Sequence, residues 1–124
     1  MLAKVNSAAL YGAVPDMRPY FANASAMIVP LFQGSGTRFK ILEAFASRLP
    51  VISTALGAEG LTVKDGKHLL LAETAEEFVE AIASLWNDDH LAQSLAEHGL
   101  ALVTHHYSQE VAAQRLAAAL NSLA

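Results

Sequence analysis

Apolar and polar positions alternate in two different ways along this chain. In the first half, short continuous apolar runs are separated by breakers. Residues 8–14 form one run, interrupted by Gly12 and closed by Pro15, and residues 26–31 form another. Pro50 is followed by Val51-Ile52-Ser53-Thr54, and residues 68–72 give a last short run. Continuous apolar runs bounded by turn residues are the pattern of strands buried on both faces. Between them the spacing becomes helical. Asp16 is placed to cap a short helix over 16–23, and a longer helix runs from Thr37 or Arg38 to about Leu49, where Pro50 ends it. Gly57 and Gly60 mark a loop, and Lys64-Asp65-Gly66-Lys67 a turn.

The second half is helical. Thr74 with Glu77 three residues on forms a capping box that opens a helix to about Asn87, with Phe78, Ile82 and Leu85 on its apolar side and Trp86 expected in the core. A second helix is expected over 88–105, with Leu91, Leu95 and Leu102 on one side. Ser108 is expected to cap a last helix, with Glu110 in its first turn and an apolar stripe of Leu116, Leu120 and Leu123. The prediction is an α/β domain: four parallel strands near 8–14, 26–31, 50–54 and 68–72, helices on both faces, and a helical C-terminal segment.

Composition narrows the function. The 124 residues suit a single domain, and 53% hydrophobic against 16% charged residues excludes a disordered chain. Ala makes up about a fifth of the chain, so part of that figure reflects helix propensity rather than bulky core. A net charge of −4 argues against a nucleic-acid partner, and the absence of Cys removes disulfides, Cys-based zinc sites and thiol chemistry. No apolar run approaches the ~20 residues of a transmembrane helix, and the N-terminus does not read as a signal peptide, so a cytoplasmic location is expected, with the inner face of the membrane as the alternative. His105 and His106 are adjacent and His90 and His98 eight apart, spacings that suit no single ion, so no metal site is expected.

Ligands of parallel sheets bind beyond the carboxyl ends of the strands. The loop after residue 31 reads Gly34-Ser35-Gly36-Thr37-Arg38-Phe39-Lys40 and leads into a helix. The glycines let backbone approach a ligand, and the helix N-terminus favours an anion. Arg38 and Lys40 in the first turn oppose the helix dipole by ~0.3–1 kcal/mol each unless an anion binds there. Glu43 lies seven residues beyond Gly36, about two turns along nearly the same side, where it could accept ribose hydroxyls while phosphates occupy the loop. The alternative is plain: Lys40 and Glu43 form a solvated i,i+3 pair and the glycines a tight turn. Neither a Walker motif nor Gly-x-Gly-x-x-Gly is present, since Phe39 stands where the third glycine belongs.

These residues resemble the C-terminal, donor-binding domain of the GT-B glycosyltransferases of the glycosyl transferases group 1 family. Residues 34–46 are similar to a subgroup signature, Gly-Ser-Gly-Thr-Arg-x-Lys-x-x-Glu-Ala-x-Ala. Gly12-Ala13-Val14-Pro15-Asp16, the strand ending in Pro30, residues 57–61 and Tyr107-Ser108 resemble flanking pieces in the right order. The resemblance implies a Rossmann-like sheet and transfer of a sugar from a nucleotide-diphosphate donor with retention and without a required metal or other cofactor. It also implies donor contacts from Gly34, Ser35, Gly36, Thr37, Arg38, Lys40, Glu43 and, near the base, Val14. Many members carry Glu, seven residues, Glu; the first of these positions is Ser35 here. The expected partners are a nucleotide sugar and the N-terminal acceptor domain of a longer enzyme. Residues 1–124 are then a single, partial donor-binding domain, catalytic residues on the acceptor side are unassigned, and open sheet edges would favour a homodimer. A non-catalytic nucleotide or sugar-phosphate binding module, or an interaction fragment with a vestigial site, are the alternative readings.

Overall fold

The structure, a computed structural model, describes residues 25–34 and 36–123. The expected strand at 8–14 and helix at 16–23, together with Val14 and Ser35, lie outside the described residues. The elements are β1 (Met27–Val29), α1 (Arg38–Ala46), β2 (Val51–Ser53), β3 (Leu70–Leu71), α2 (Ala75–Asn87), α3 (Asp89–Leu102), a π-helical turn (Val103–Tyr107) and α4 (Ser108–Ser122). Each of the three strands falls inside an expected run, trimmed at its ends.

The strands form a parallel sheet in the order β1-β2-β3. Ile52 is paired with Ile28 on one side and Leu70 on the other. Successive strand residues point to opposite faces, and each face has its own core. Val29, Val51 and Leu69 join Ile41, Leu42, Phe45 and Leu49 of the α1 segment, with Leu102, Val103, Tyr107 and Val111 closing that side. Ile52 and Ala72 pack instead against Phe78, with Leu70, Ala81, Ile82 and Leu85 around them. The sheet is thus covered by α1, α3 and the π turn on one face and by α2 on the other.

Three helix boundaries have a local cause. α2 opens with the expected capping box: Glu77 N–H donates to Thr74 Oγ1 at 3.1 Å, and Thr74 N–H to Glu77 Oε1 at 3.1 Å. The Asp88 side chain caps α3 by accepting from Leu91 N–H at 3.1 Å. α1 ends in a Schellman arrangement, with Leu49 N–H on Ala44 O and Arg48 N–H on Phe45 O, which places Arg48 at φ 58.

Three local expectations are corrected. Ser108 does not cap the last helix; α3 runs on through the π turn, and no side-chain cap bond is made at the start of α4. Trp86 is 39% exposed rather than in the core. At about 100° per residue it lies on the flank of the arc formed by Phe78, Ile82 and Leu85. The Leu116, Leu120 and Leu123 stripe is exposed, and Val111 is the buried residue of α4. None of the described helices is long and apolar enough to cross a membrane.

Candidate functional site

The loops that follow the three strands meet at the carboxyl edge of the sheet, and hydroxyls tie them together. Thr54 Oγ1 donates to Leu31 O and accepts from Gly57 N–H at 3.0 Å. Thr37 Oγ1 donates to Gly57 O at 2.6 Å, and Arg38 Nη1 to Gly60 O at 2.6 Å. Ala55 N–H donates to Glu73 Oε2 at 2.8 Å, joining the end of β3 to the same group. The approach at Gly57 is close: a Cβ there would stand 2.5 Å from Ser53 Oγ and 2.9 Å from a Val29 methyl, so only glycine fits.

This network fixes the entry to α1. Gly34 and Gly36 are exposed and have φ of 95 and 94, backbone that a side chain would strain. Thr37 stands at the N-cap position, but its hydroxyl is committed to Gly57, so no side chain caps α1; the first turn also holds no acidic residue. The other described α-helices each carry an acid in the first turn. The leading N–H groups of α1 therefore face outward with their partial positive charge uncompensated by a side chain of the helix itself.

The charged residues divide sharply. Lys40 is exposed, with no hydrogen bond or ion pair among the described residues. Arg38 is held on several sides. Its Nε donates to Glu110 Oε2 at 3.2 Å and its Nη2 to Glu110 Oε1 at 2.7 Å, while its guanidinium carbon lies 5.4 Å from the Tyr107 ring centre. The bond to Glu110 raises the Arg38 pKa above its already high value, against the opposing effect of burial. Glu43 does not pair with Lys40. Its carboxylate accepts from Arg115 Nε at 3.0 Å and Arg115 Nη2 at 3.1 Å, and its side chain is only 15% exposed.

Gly34, Gly36, Thr37, Arg38, Lys40 and Glu43 are thus gathered on one loop and helix, as expected. The expectation that Arg38 is an uncompensated cation and Glu43 an unpartnered carboxylate is corrected, because α4 supplies a partner to each. Sequence reasoning missed these partners. A signal existed: Glu110 and Arg115 are the only charges on α4, and their spacing of five repeats that of Arg38 and Glu43 with the signs reversed. Among the described residues, no group of three His, Asp or Glu is placed to hold a metal ion.

A family model described as glycosyl transferases group 1 matches residues 2–88. Among solved structures, the C-terminal domain of a glycosyl transferase group 1 family protein (LpcC) from Francisella tularensis superposes with a TM-score of 0.70 at 21% sequence identity. The match covers 86% of this chain and 60% of that one, so the chain spans about three fifths of the length of that domain. At this identity the likeness speaks for the fold. No curated protein matches the chain.

Proposed function

Because the chain belongs to the glycosyl transferases group 1 family, we propose that it binds the nucleotide-diphosphate part of a sugar donor at the entry to α1. The observation that carries this reading is the N-terminus of α1. It has two positive-φ glycines before it, no side-chain cap, no first-turn acid, and an exposed Lys40 beside it, all at the carboxyl edge of a parallel sheet. That arrangement is costly for an isolated helix and suited to one that receives phosphates.

In this reading the backbone at 34–37 and Lys40 take the diphosphate, Arg38 adds the remaining N–H groups of its guanidinium, and Glu43 accepts the ribose hydroxyls. Glycosyl transfer, with retention and without a metal or other cofactor, would take place against an N-terminal acceptor domain of a longer, cytoplasmic enzyme. The 124 residues alone would bind donor without turning it over, and self-association through open sheet edges belongs to the same proposal.

The test is calorimetric titration of the chain with UDP, GDP and ADP and with the matching nucleosides. Binding of at least one diphosphate more tightly than its nucleoside, by a margin that shrinks with added salt, is the expected result. Equal affinity for diphosphate and nucleoside, or no binding of any, overturns the reading.

A further inference from the structure

The two ion pairs between α1 and α4 share one geometry. Arg38 meets Glu110 and Glu43 meets Arg115, each across 72 residues of chain, and each through two nitrogens of the guanidinium. Both charged side chains on α1 that the donor reading uses, other than Lys40, are therefore oriented by one helix. That helix lies beyond residue 88, where the family match ends.

The contacts leave both groups able to do more. A guanidinium has five N–H donors. Glu110 engages Nε and Nη2, and Gly60 O engages Nη1, while the side chain stays 32% exposed. It lies over the Tyr107 ring, and Tyr107 is itself anchored because its hydroxyl accepts from Thr62 N–H at 3.0 Å. The Glu43 carboxylate offers about four acceptor directions, and Arg115 does not exhaust them. Long flexible side chains otherwise lose rotamer freedom when a ligand arrives, and groups fixed beforehand avoid that cost.

We propose that α4 and the end of the π turn before it complete the donor site: Glu110 and the Tyr107 ring are positioning residues for Arg38, and Arg115 is the positioning residue for Glu43. This rests on the donor-site reading above. Arg38 is presented to the diphosphate and Glu43 to the ribose with their orientations already set.

The test uses changes that keep every charge. Glu110→Asp withdraws the carboxylate by one methylene, and Arg115→Lys removes the two-nitrogen fork. The 124-residue chain and both variants are titrated with whichever of UDP, GDP and ADP the wild type binds, with its nucleoside, and with its 2′,3′-dideoxy form. Circular dichroism checks that each is folded. Glu110→Asp is expected to weaken the diphosphate about three- to tenfold and leave the nucleoside unchanged. Arg115→Lys is expected to weaken diphosphate and nucleoside alike and leave the dideoxy form unchanged. Tyr107→Leu, which alters no charge, carries the same expectation as Glu110→Asp and stands in if that variant does not fold. Unchanged binding with lowered melting temperature overturns the proposal and makes the pairs purely structural. Tighter binding overturns it the other way, by showing that α4 competes with the ligand. A wild type that binds no nucleotide overturns the donor-site reading itself, an outcome distinct from both.

Discussion

Glu43 takes two nitrogen donors of Arg115, 72 residues later in the chain, and so the carboxylate on the polar side of α1 is part of a tertiary contact. Glu43→Gln keeps the shape of the side chain and halves the pair. With Glu43 15% and Arg115 37% exposed, the pair is neither buried nor fully screened. The substitution is expected to cost about 1–2 kcal/mol, below the value for a buried pair because Arg115 reaches solvent. Urea denaturation of Glu43→Gln, Arg115→Gln and the double variant checks it: the double variant should lose less than the sum of the singles.

Lys40 behaves oppositely. It is exposed and makes no polar contact among the described residues, and its charge opposes the α1 dipole. Lys40→Gln should leave stability unchanged or raise it by up to ~0.5 kcal/mol. The same variant should bind nucleoside diphosphate about threefold or more weakly, with the nucleoside unaffected. A thermal melt and a titration on the same sample read both. Adding Arg38→Gln to it should lower the melting temperature, because Arg38 holds Glu110 and Gly60 O.

His68 makes the fold sensitive to mild acid. Burial, then the charge of Lys67, His98 and Lys64, lowers its pKa from the ordinary value near 6.5. Its Nδ1 accepts from Lys64 N–H at 3.0 Å, a bond the protonated ring cannot make. The unfolded chain therefore binds the proton more readily than the folded one, and stability falls as pH drops below about 6.5 toward the folded value. Above that window the contribution is complete. The melting temperature of wild type should fall between pH 7.5 and 5.5 by more than that of His68→Asn, whose amide oxygen can still accept from Lys64 and does not titrate.

Gly99 sits on α3 against the aromatic ring at the centre of the larger core. A Cβ there would stand 2.8 Å from Phe45 Cδ1 and 3.1 Å from Cγ, and Phe45 is 1% exposed. Gly99→Ala gains up to ~1 kcal/mol of helix propensity but forces overpacking that costs about 1–3 kcal/mol. Net destabilisation is expected, read as a lowered denaturation midpoint with unchanged slope. An unchanged or raised midpoint would show that Phe45 yields easily.

The elements that could be read along the chain are those whose causes are local. The apolar run at 26–31 and the one after Pro50 became β1 and β2, and Thr74 with Glu77 gave the α2 cap, because a strand run or a capping box carries its own hydrogen bonding within a few residues. The loop at 34–37 and its helix were legible for the same reason. What remained hidden depends on where distant segments dock. Nothing near Arg38 indicates that Glu110 neutralises it, and nothing near Ser108 indicates that a π turn, rather than a capped break, precedes it. Trp86 was misplaced because it lies about 40° beyond Ile82 around α2, on the rim of the apolar face rather than within it.

The π turn at Val103–Tyr107 divides this helical segment into a part that tolerates a change of length and a part that does not. A π turn closes on i→i+5 bonds and so holds one residue more than an α turn. Loss of one residue within 103–107 would be absorbed there as a return to α geometry, with Glu110 and Arg115 kept against α1. Loss of Gln109, inside α4, has no such slack: it would turn the rest of the helix by about 100° and slide it by about 1.5 Å. Val111 and Leu116 would then occupy the positions that Glu110 and Arg115 hold now, and both cation–carboxylate contacts to α1 would vanish together although no charged residue had been altered.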